Sequence, residues 1–206
     1  MKVSTAKEKM LKKIRQALSN PVPLPFPLSE GTHTVFPEGE DDDAIVFAQE
    51  FTKLQGKFAF CEDDNDLVAQ IRQLIAEKQW SKIYFKEDWI GALLQTSSYA
   101  TLADCDVAIT GCEYLVARTG TIVMSAAQQS GRTTSVYAPV HICIAYTKQM
   151  VYELKDALFF LKEKYKTNIP SQIVFATGPS RTADIEKTLV TGVHGPKEVF
   201  CFLVEA

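Results

Sequence analysis

Residues able to do chemistry gather in three short stretches of the sequence. The first is Thr177-Gly178-Pro179-Ser180-Arg181-Thr182-Ala183-Asp184, followed by Gly192-Val193-His194-Gly195-Pro196. Gly178 can take φ values that other residues avoid, Pro179 fixes φ, and Ser180 or Thr182 can cap a helix. The apolar run Ile173–Ala176 before it reads as a buried strand. Ile185, Leu189 and Val193 after it are spaced as one face of a helix. A strand-to-helix turn with free N–H groups, two hydroxyls and Arg181 suits an anionic ligand. Asp184 competes for the same dipole, and an ordinary capped turn is the rival reading. The second stretch runs from Gly111-Cys112-Glu113 to Ala117-Arg118-Thr119-Gly120-Thr121, with Glu113 as a candidate base or nucleophile. The third joins Gly131-Arg132-Thr133-Thr134 to Pro139-Val140-His141. An arginine such as Arg132 or Arg181 can grip a carboxylate through two parallel hydrogen bonds. His141 and His194 are the proton-transfer candidates, whereas His33 lies among prolines and is given no role.

Other chemistries are excluded by what the sequence omits. It contains no G-x-S-x-G, Walker A loop, Rossmann G-x-G-x-x-G or H-E-x-x-H. The five cysteines, Cys61, Cys105, Cys112, Cys143 and Cys201, are irregularly spaced, without a C-x-x-C. They read as reduced, buried thiols, and no metal site is assigned. An iron–sulfur ligand set is not among them. A net charge of −3 argues against general nucleic-acid binding, and no apolar run approaches the roughly 18 residues of a membrane span. With no apolar core to an N-terminal signal, the chain is expected in the cytoplasm.

The elements that must position these residues alternate in βα fashion. Strands are expected at Lys57–Cys61, Lys82–Phe85, Asp106–Thr110, Gly120–Ser125, Val140–Tyr146, Ile173–Ala176 and Val199–Val204. Helices are expected through Ile45–Leu54, Leu67–Ile75, Trp89–Leu94 and Val151–Tyr165, with Leu158 on the buried stripe of the last. Only loops separate the Gly120 and Val140 strands, which suggests an antiparallel pair. The pattern predicts a three-layer α/β domain, a mostly parallel sheet with helices on both faces. Ligands then collect at the C-terminal ends of the strands.

Residues 1–39 stand apart from residues 40–206. Met10, Leu11, Ile14 and Leu18 stripe a helix expected over residues 4–19. Residues 1–20 hold six basic side chains against Glu8, a surplus of +5, leaving −8 on the remainder. A basic amphipathic helix can meet a membrane surface or a partner protein, and the favoured reading of this narrow stripe without an aromatic anchor is an arm that packs on its own domain or on a neighbouring subunit. Pro21, Pro23, Pro25 and Pro27 then alternate with apolar residues, as an extended strap does. The acidic run Glu38–Asp43 is expected to cap the next helix.

Taken together, Ala117-Arg118-Thr119-Gly120-Thr121-Ile122, Pro139-Val140-His141-Ile142, Gly178–Glu186 and Gly192–Pro196 resemble the lactate-utilization protein C family, the LUD-domain proteins. The resemblance covers about residues 40–206. Where many relatives carry an acidic residue before Thr-Gly, this chain has Arg118, so no acidic role passes to that position. The resemblance implies a fold similar to the glucosamine-phosphate isomerase, ribose-phosphate isomerase and CoA-transferase group. It also implies a subunit of an NAD-independent system oxidising L-lactate to pyruvate, beside partner subunits that hold the iron–sulfur clusters. In that reading this chain binds no cofactor and offers a site for a small carboxylate or phosphate. That site would be built from Thr119, Gly120, Thr121, Arg132, Gly178, Ser180, Arg181, Thr182 and Asp184. The rivals are a freestanding phosphosugar- or acyl-CoA-processing enzyme using Glu113, and a non-catalytic scaffold assembled through its N-terminal arm.

Overall fold

The computed structural model describes residues 6–19, 42–182 and 190–205. The chain divides into two units, Met1–Glu38 and Gly39–Ala206. In the first, α1 (Ala6–Ser19) forms where the basic amphipathic pattern predicts a helix. The proline strap lies outside the described residues.

The second unit is built on a five-stranded, wholly parallel sheet. Its strands are β1 (Lys57–Cys61), β2 (Ile83–Tyr84), β3 (Val107–Thr110), β6 (Val140–Tyr146) and β11 (Glu198–Val204). They lie in the order β1-β11-β6-β3-β2. Alternate residues of the central strands face opposite ways, and both sets are apolar because both faces are covered. Ile142, Ile144, Phe200, Phe202 and Val204 pack beneath α3 (Asp64–Lys78) and α4 (Asp88–Leu94) through Leu67, Ile71, Ile90 and Leu94. Cys143, Ala145, Val199, Cys201 and Leu203 meet Phe47 and Phe51 of α2 (Asp43–Lys53) on the other face. The two rings stack 5.4 Å apart. Burial of a side chain of this size stabilises the fold by roughly 2–3 kcal/mol.

Local chemistry sets the helix ends. Asp42 accepts from the Ala44 N–H at 2.8 Å, so the acidic run caps α2 as expected. Asp63 does the same for α3 through the Asp66 N–H.

The mostly parallel sheet with helices on both faces is therefore present, and a second sheet shares the α2 side. It comprises β4 (Tyr114–Val116), β5 (Thr121–Ser125), β7 (Met150–Val151) and β8 (Ile173–Ala176), in the order β7-β4-β5-β8. This corrects the expected antiparallel pairing of the Gly120 and Val140 strands. β5 pairs antiparallel with β4 and β8, whereas β6 belongs to the parallel sheet. α6 (Leu154–Tyr165) covers the outer face of the second sheet with Ala157 and Leu161, and Leu158 is exposed rather than on the buried stripe. All five cysteines are free and buried. Burial, followed by the Asp66 carboxylate, pushes the Cys61 thiol up to about 12.

Candidate functional site

Two of the three sequence motifs converge on α2. Ala117–Thr119 forms a single 3₁₀ turn that ends at Gly120 with φ 57°. A Cβ on Gly120 would lie 2.4 Å from the Phe51 backbone nitrogen and 2.7 Å from the Glu50 carbonyl carbon. Glycine therefore serves here both the left-handed conformation and the close approach of backbone to helix. Thr119 and Thr121 spend their hydroxyls on each other at 2.7 Å. At the same, C-terminal end of α2, Gly178 has φ 129°, and a Cβ there would meet the carbonyl oxygen of the C-cap residue Leu54 at 2.6 Å. Arg181 donates to that same oxygen at 2.5 Å. The Thr119-Gly120-Thr121 and Gly178–Arg181 segments thus hold the helix in place.

The turn after Gly178 is not a helix start. Arg181–Thr182 form β9, paired antiparallel with β10 (Val190–Thr191). Val193 lies beyond that ribbon in a bend, so the expected helix does not extend to Val193, while Ile185 and Leu189 lie outside the described residues. Paired strand backbone replaces the free N–H groups that were to hold an anion at Ser180 and Thr182. Asp184 lies outside the described residues.

What the expectation did bring together is Ser180 and the Gly192–Pro196 turn. The Ser180 N–H donates to the Pro196 carbonyl at 2.9 Å, and the Gly192 N–H donates to the Ser180 carbonyl at 2.9 Å. Gly195 leaves room for the Ser180 side chain, since a Cβ there would lie 2.9 Å from the Ser180 Cβ. The Lys197 N–H then donates to the Pro139 carbonyl at 2.8 Å, anchoring the turn to the segment that leads into β6. The turn borders a cavity of about 740 Å³ lined by Asp104, Cys105, Tyr137, His194 and Lys197, among others. These residues precede β3, β6 and β11, so the cavity opens at the N-terminal ends of the parallel strands. That corrects the expected C-terminal position for His194. An imidazole and an ammonium on one wall of a cavity this size can hold a small anion and exchange a proton with it.

The other candidates are separated from this cavity by their own contacts. Arg132 is exposed and donates to Ser171. Arg118 pairs with Glu153 at 2.7 Å. Glu113 is buried: one carboxylate oxygen accepts from Ser125 at 2.5 Å and Tyr165 at 2.6 Å, and the other from Lys164 at 2.7 Å. Desolvation raises the Glu113 pKa, but the three donors outweigh it and hold the carboxyl below its ordinary value. A carboxylate so engaged is a poor base or nucleophile.

His141 is also buried, with Nε2 2.9 Å from the Thr110 hydroxyl, and burial brings its pKa down to about 4. The unfolded chain binds the proton near 6.5 and the folded chain only near 4. Stability is therefore complete above pH 6.5 and falls as the pH drops toward 4, by about 1.4 kcal/mol per pH unit within that window. Urea midpoints measured across this range should fall for the wild type, and the His141→Gln difference should shrink in step.

Sequence reasoning missed Lys197, Asp104 and Tyr137 as cavity residues. Lys197 carries a visible signal, because it follows the Gly192–Pro196 turn directly. Asp104 and Tyr137 lie in segments with no pattern of their own. It also missed Glu87, a buried carboxylate held by the Gly111 N–H at 3.2 Å and the Trp89 indole N–H at 2.8 Å. The Lys86-Glu87-Asp88 run reads as a solvated helix start.

A parallel sheet backed by a second, mostly antiparallel sheet, with the Gly192–Pro196 turn held against Ser180, defines a particular class of α/β domain. The LUD domain family model matches residues 93–204, a span that contains the motif loops and the cavity, and the chain belongs to this family. An uncharacterized protein of Neisseria meningitidis is 31% identical over 129 residues, covering 62% of this chain and 52% of that protein. Lactate utilization protein C of Bacillus velezensis is 37% identical over 101 residues, covering 48% of this chain and 42% of the relative. The Bacillus licheniformis protein of the same name is 35% identical over 102 residues, covering 48% and 42%. The chain thus spans about half the length of the curated relatives it matches. A crystal structure of a DUF162 family protein from Deinococcus radiodurans shares the fold with a TM-score of 0.61 at 17% identity, over 82% of this chain and 99% of that one. Among the described residues, no helix is long and apolar enough to cross a membrane.

Proposed function

We propose that this chain works in lactate utilization, as a subunit of a system that oxidises L-lactate to pyruvate. The observation that carries this reading is the similarity to relatives named lactate utilization protein C, within a family whose matched region includes the His194 cavity. In this reading the cavity receives the small carboxylate. Lys197 supplies the positive charge, and His194 is the proton acceptor, because His141 is committed to Thr110 inside the core. Oxidation of the hydroxyl to the ketone releases two protons and two electrons: His194 would take the hydroxyl proton, the C–H proton would pass to solvent, and iron–sulfur clusters in partner subunits would be the oxidant that takes the two electrons.

Deleting the gene should abolish growth on L-lactate as sole carbon source and leave growth on pyruvate intact. The wild-type gene should restore it. His194→Ala replaces an exposed side chain, so its stability should stay within about 0.5 kcal/mol of wild type, yet it should fail to complement. Undiminished growth of the deletion strain on L-lactate rules out the pathway. Full complementation by His194→Ala leaves the pathway standing and rules out the cavity as its site.

A further inference from the structure

We propose, on the reading of the His194 cavity as a hydroxy-acid site, that it selects 2-hydroxy monocarboxylic acids whose apolar side group is bulkier than the methyl of lactate. Lactate is a three-carbon acid, whereas the cavity measures about 740 Å³. Cavities of roughly 300–1,000 Å³ enclose ligands of drug size. Lactate alone would leave most of this space to water. The lining beyond His194 and Lys197 is largely apolar, with Val136, Tyr137, Ala138, Pro139 and Val193 contributing to it. Tyr137 is 70% exposed and Val193 40%, so both still have surface to bury against a ligand. Cys105 adds to that lining. Burial, followed by the Asp106 carboxylate, raises its thiol pKa, so it meets a ligand as a small neutral group.

The polar side chains divide the ligand in the same way. Lys197 lays its stem across Gly192, where an added Cβ would overlap the Lys197 Cγ, so only glycine leaves that room. The lysine is thus tied to the turn that carries His194. A carboxylate and the hydroxyl on the next carbon are met together by ammonium and imidazole, and the remaining substituent is left to the apolar lining. Asp104 puts a negative charge on the same cavity. A second carboxylate on the ligand would face that charge, which selects against dicarboxylates.

Isothermal titration calorimetry on the full chain, with L-lactate, L-3-phenyllactate and L-malate, tests this selection. Phenyllactate should bind about tenfold more tightly than lactate or better, since a single methylene in an apolar pocket is already worth about tenfold. Malate, a 2-hydroxy dicarboxylate, should bind more weakly than lactate. Tyr137→Ser with Val193→Ser, both on exposed side chains, should bring the affinity for phenyllactate down toward that for lactate. Asp104→Asn should close the gap between malate and lactate, and Lys197→Met should weaken all three acids. Should the double substitution disturb folding, as circular dichroism would show, Tyr137→Ser alone carries the test. Lactate bound as tightly as phenyllactate overturns the size preference and leaves the cavity standing as a lactate site. A preference for phenyllactate that survives the Tyr137 and Val193 changes overturns the apolar lining as its cause, and a malate gap that survives Asp104→Asn overturns the charge selection. Binding of none of the acids, or binding untouched by Lys197→Met, removes the cavity as a hydroxy-acid site and the selection with it.

Discussion

Replacing Gly120 with alanine should destabilise the protein by about 3 kcal/mol or more, far beyond what loss of a flexible turn residue would cause. Two effects add. The left-handed conformation at φ 57° strains an L side chain by roughly 1–2 kcal/mol. The new Cβ would also press on the Phe51 and Glu50 backbone at 2.4–2.7 Å, where nothing can rotate away, and overpacking of this kind costs about 1–3 kcal/mol more. Gly131 separates the two contributions. It has φ 66° but nothing within 4 Å of an added Cβ, so Gly131→Ala should lose only the conformational part, about 1 kcal/mol. Urea unfolding of both variants checks this, with unchanged m-values as the sign that the unfolded states are comparable. Equal losses at the two positions would show that the Thr119-Gly120-Thr121 turn does not grip α2.

Glu113→Gln should cost about 2–4 kcal/mol at neutral pH. The carboxylate accepts from Ser125, Tyr165 and Lys164, and a side-chain amide placed there must turn an N–H toward one of these donors. The Lys164 side chain is 54% exposed, so it regains water when the pair is lost, which keeps the figure below that of a fully buried ion pair. The pH dependence has a defined sign. Because folding lowers the Glu113 pKa beneath its ordinary 4.5, its stabilisation is complete above that value and is lost as the pH falls through the folded pKa. The gap in urea midpoint between wild type and Glu113→Gln should therefore hold steady from pH 7 to 5 and narrow in acid. A gap that widened in acid would mean that folding raises the pKa instead. Activity adds a further check. If Glu113 were the base of a freestanding enzyme, turnover would fall in proportion to the charge removed, independently of stability.

Much of the fold was legible because its signals are local. The Lys57–Cys61 and Val140–Tyr146 runs, the Leu67–Ile75 stripe and the acidic caps at Asp42 and Asp63 all name their elements without help from distant residues. Partnership was not legible. Thr121–Ser125 and Val140–Tyr146 are both mostly apolar and buried on both faces, and the same pattern arises in a parallel strand under helices and in a strand sandwiched between a sheet and α6. Sequence separation suggested that they pair, and the insertion of β4, β7 and β8 as a separate sheet decided otherwise. The site divides along the same line. Gly178–Ser180 and Gly192–Pro196 could be read as partners because both are rich in residues with special backbone demands. The direction in which they face could not be read. Spacing at Ile185, Leu189 and Val193 fits a helix, but Val190–Thr191 pair with Arg181–Thr182, and this ribbon lies at the N-terminal rather than the C-terminal ends of the parallel strands. His141 looked like a catalyst because a histidine at a strand start is ambiguous until its burial beside Thr110 is known.

The strand order has a consequence for how the chain is made. β11 lies between β1 and β6 and, among the described residues, is the only strand paired with β1. The Lys57–Glu198 ion pair spans 141 positions. On the ribosome, β1 therefore emerges and waits for nearly the whole domain before its hydrogen-bonding edge can be filled. Meanwhile β2, β3 and β6 can already assemble. A nascent chain in this state exposes both an unpaired β1 and the open side of β6, the kind of template that recruits another unfinished strand. Translation that stalls between positions 146 and 198 would yield a half-sheet prone to aggregate, and efficient folding depends on the prompt arrival of Val199–Val204.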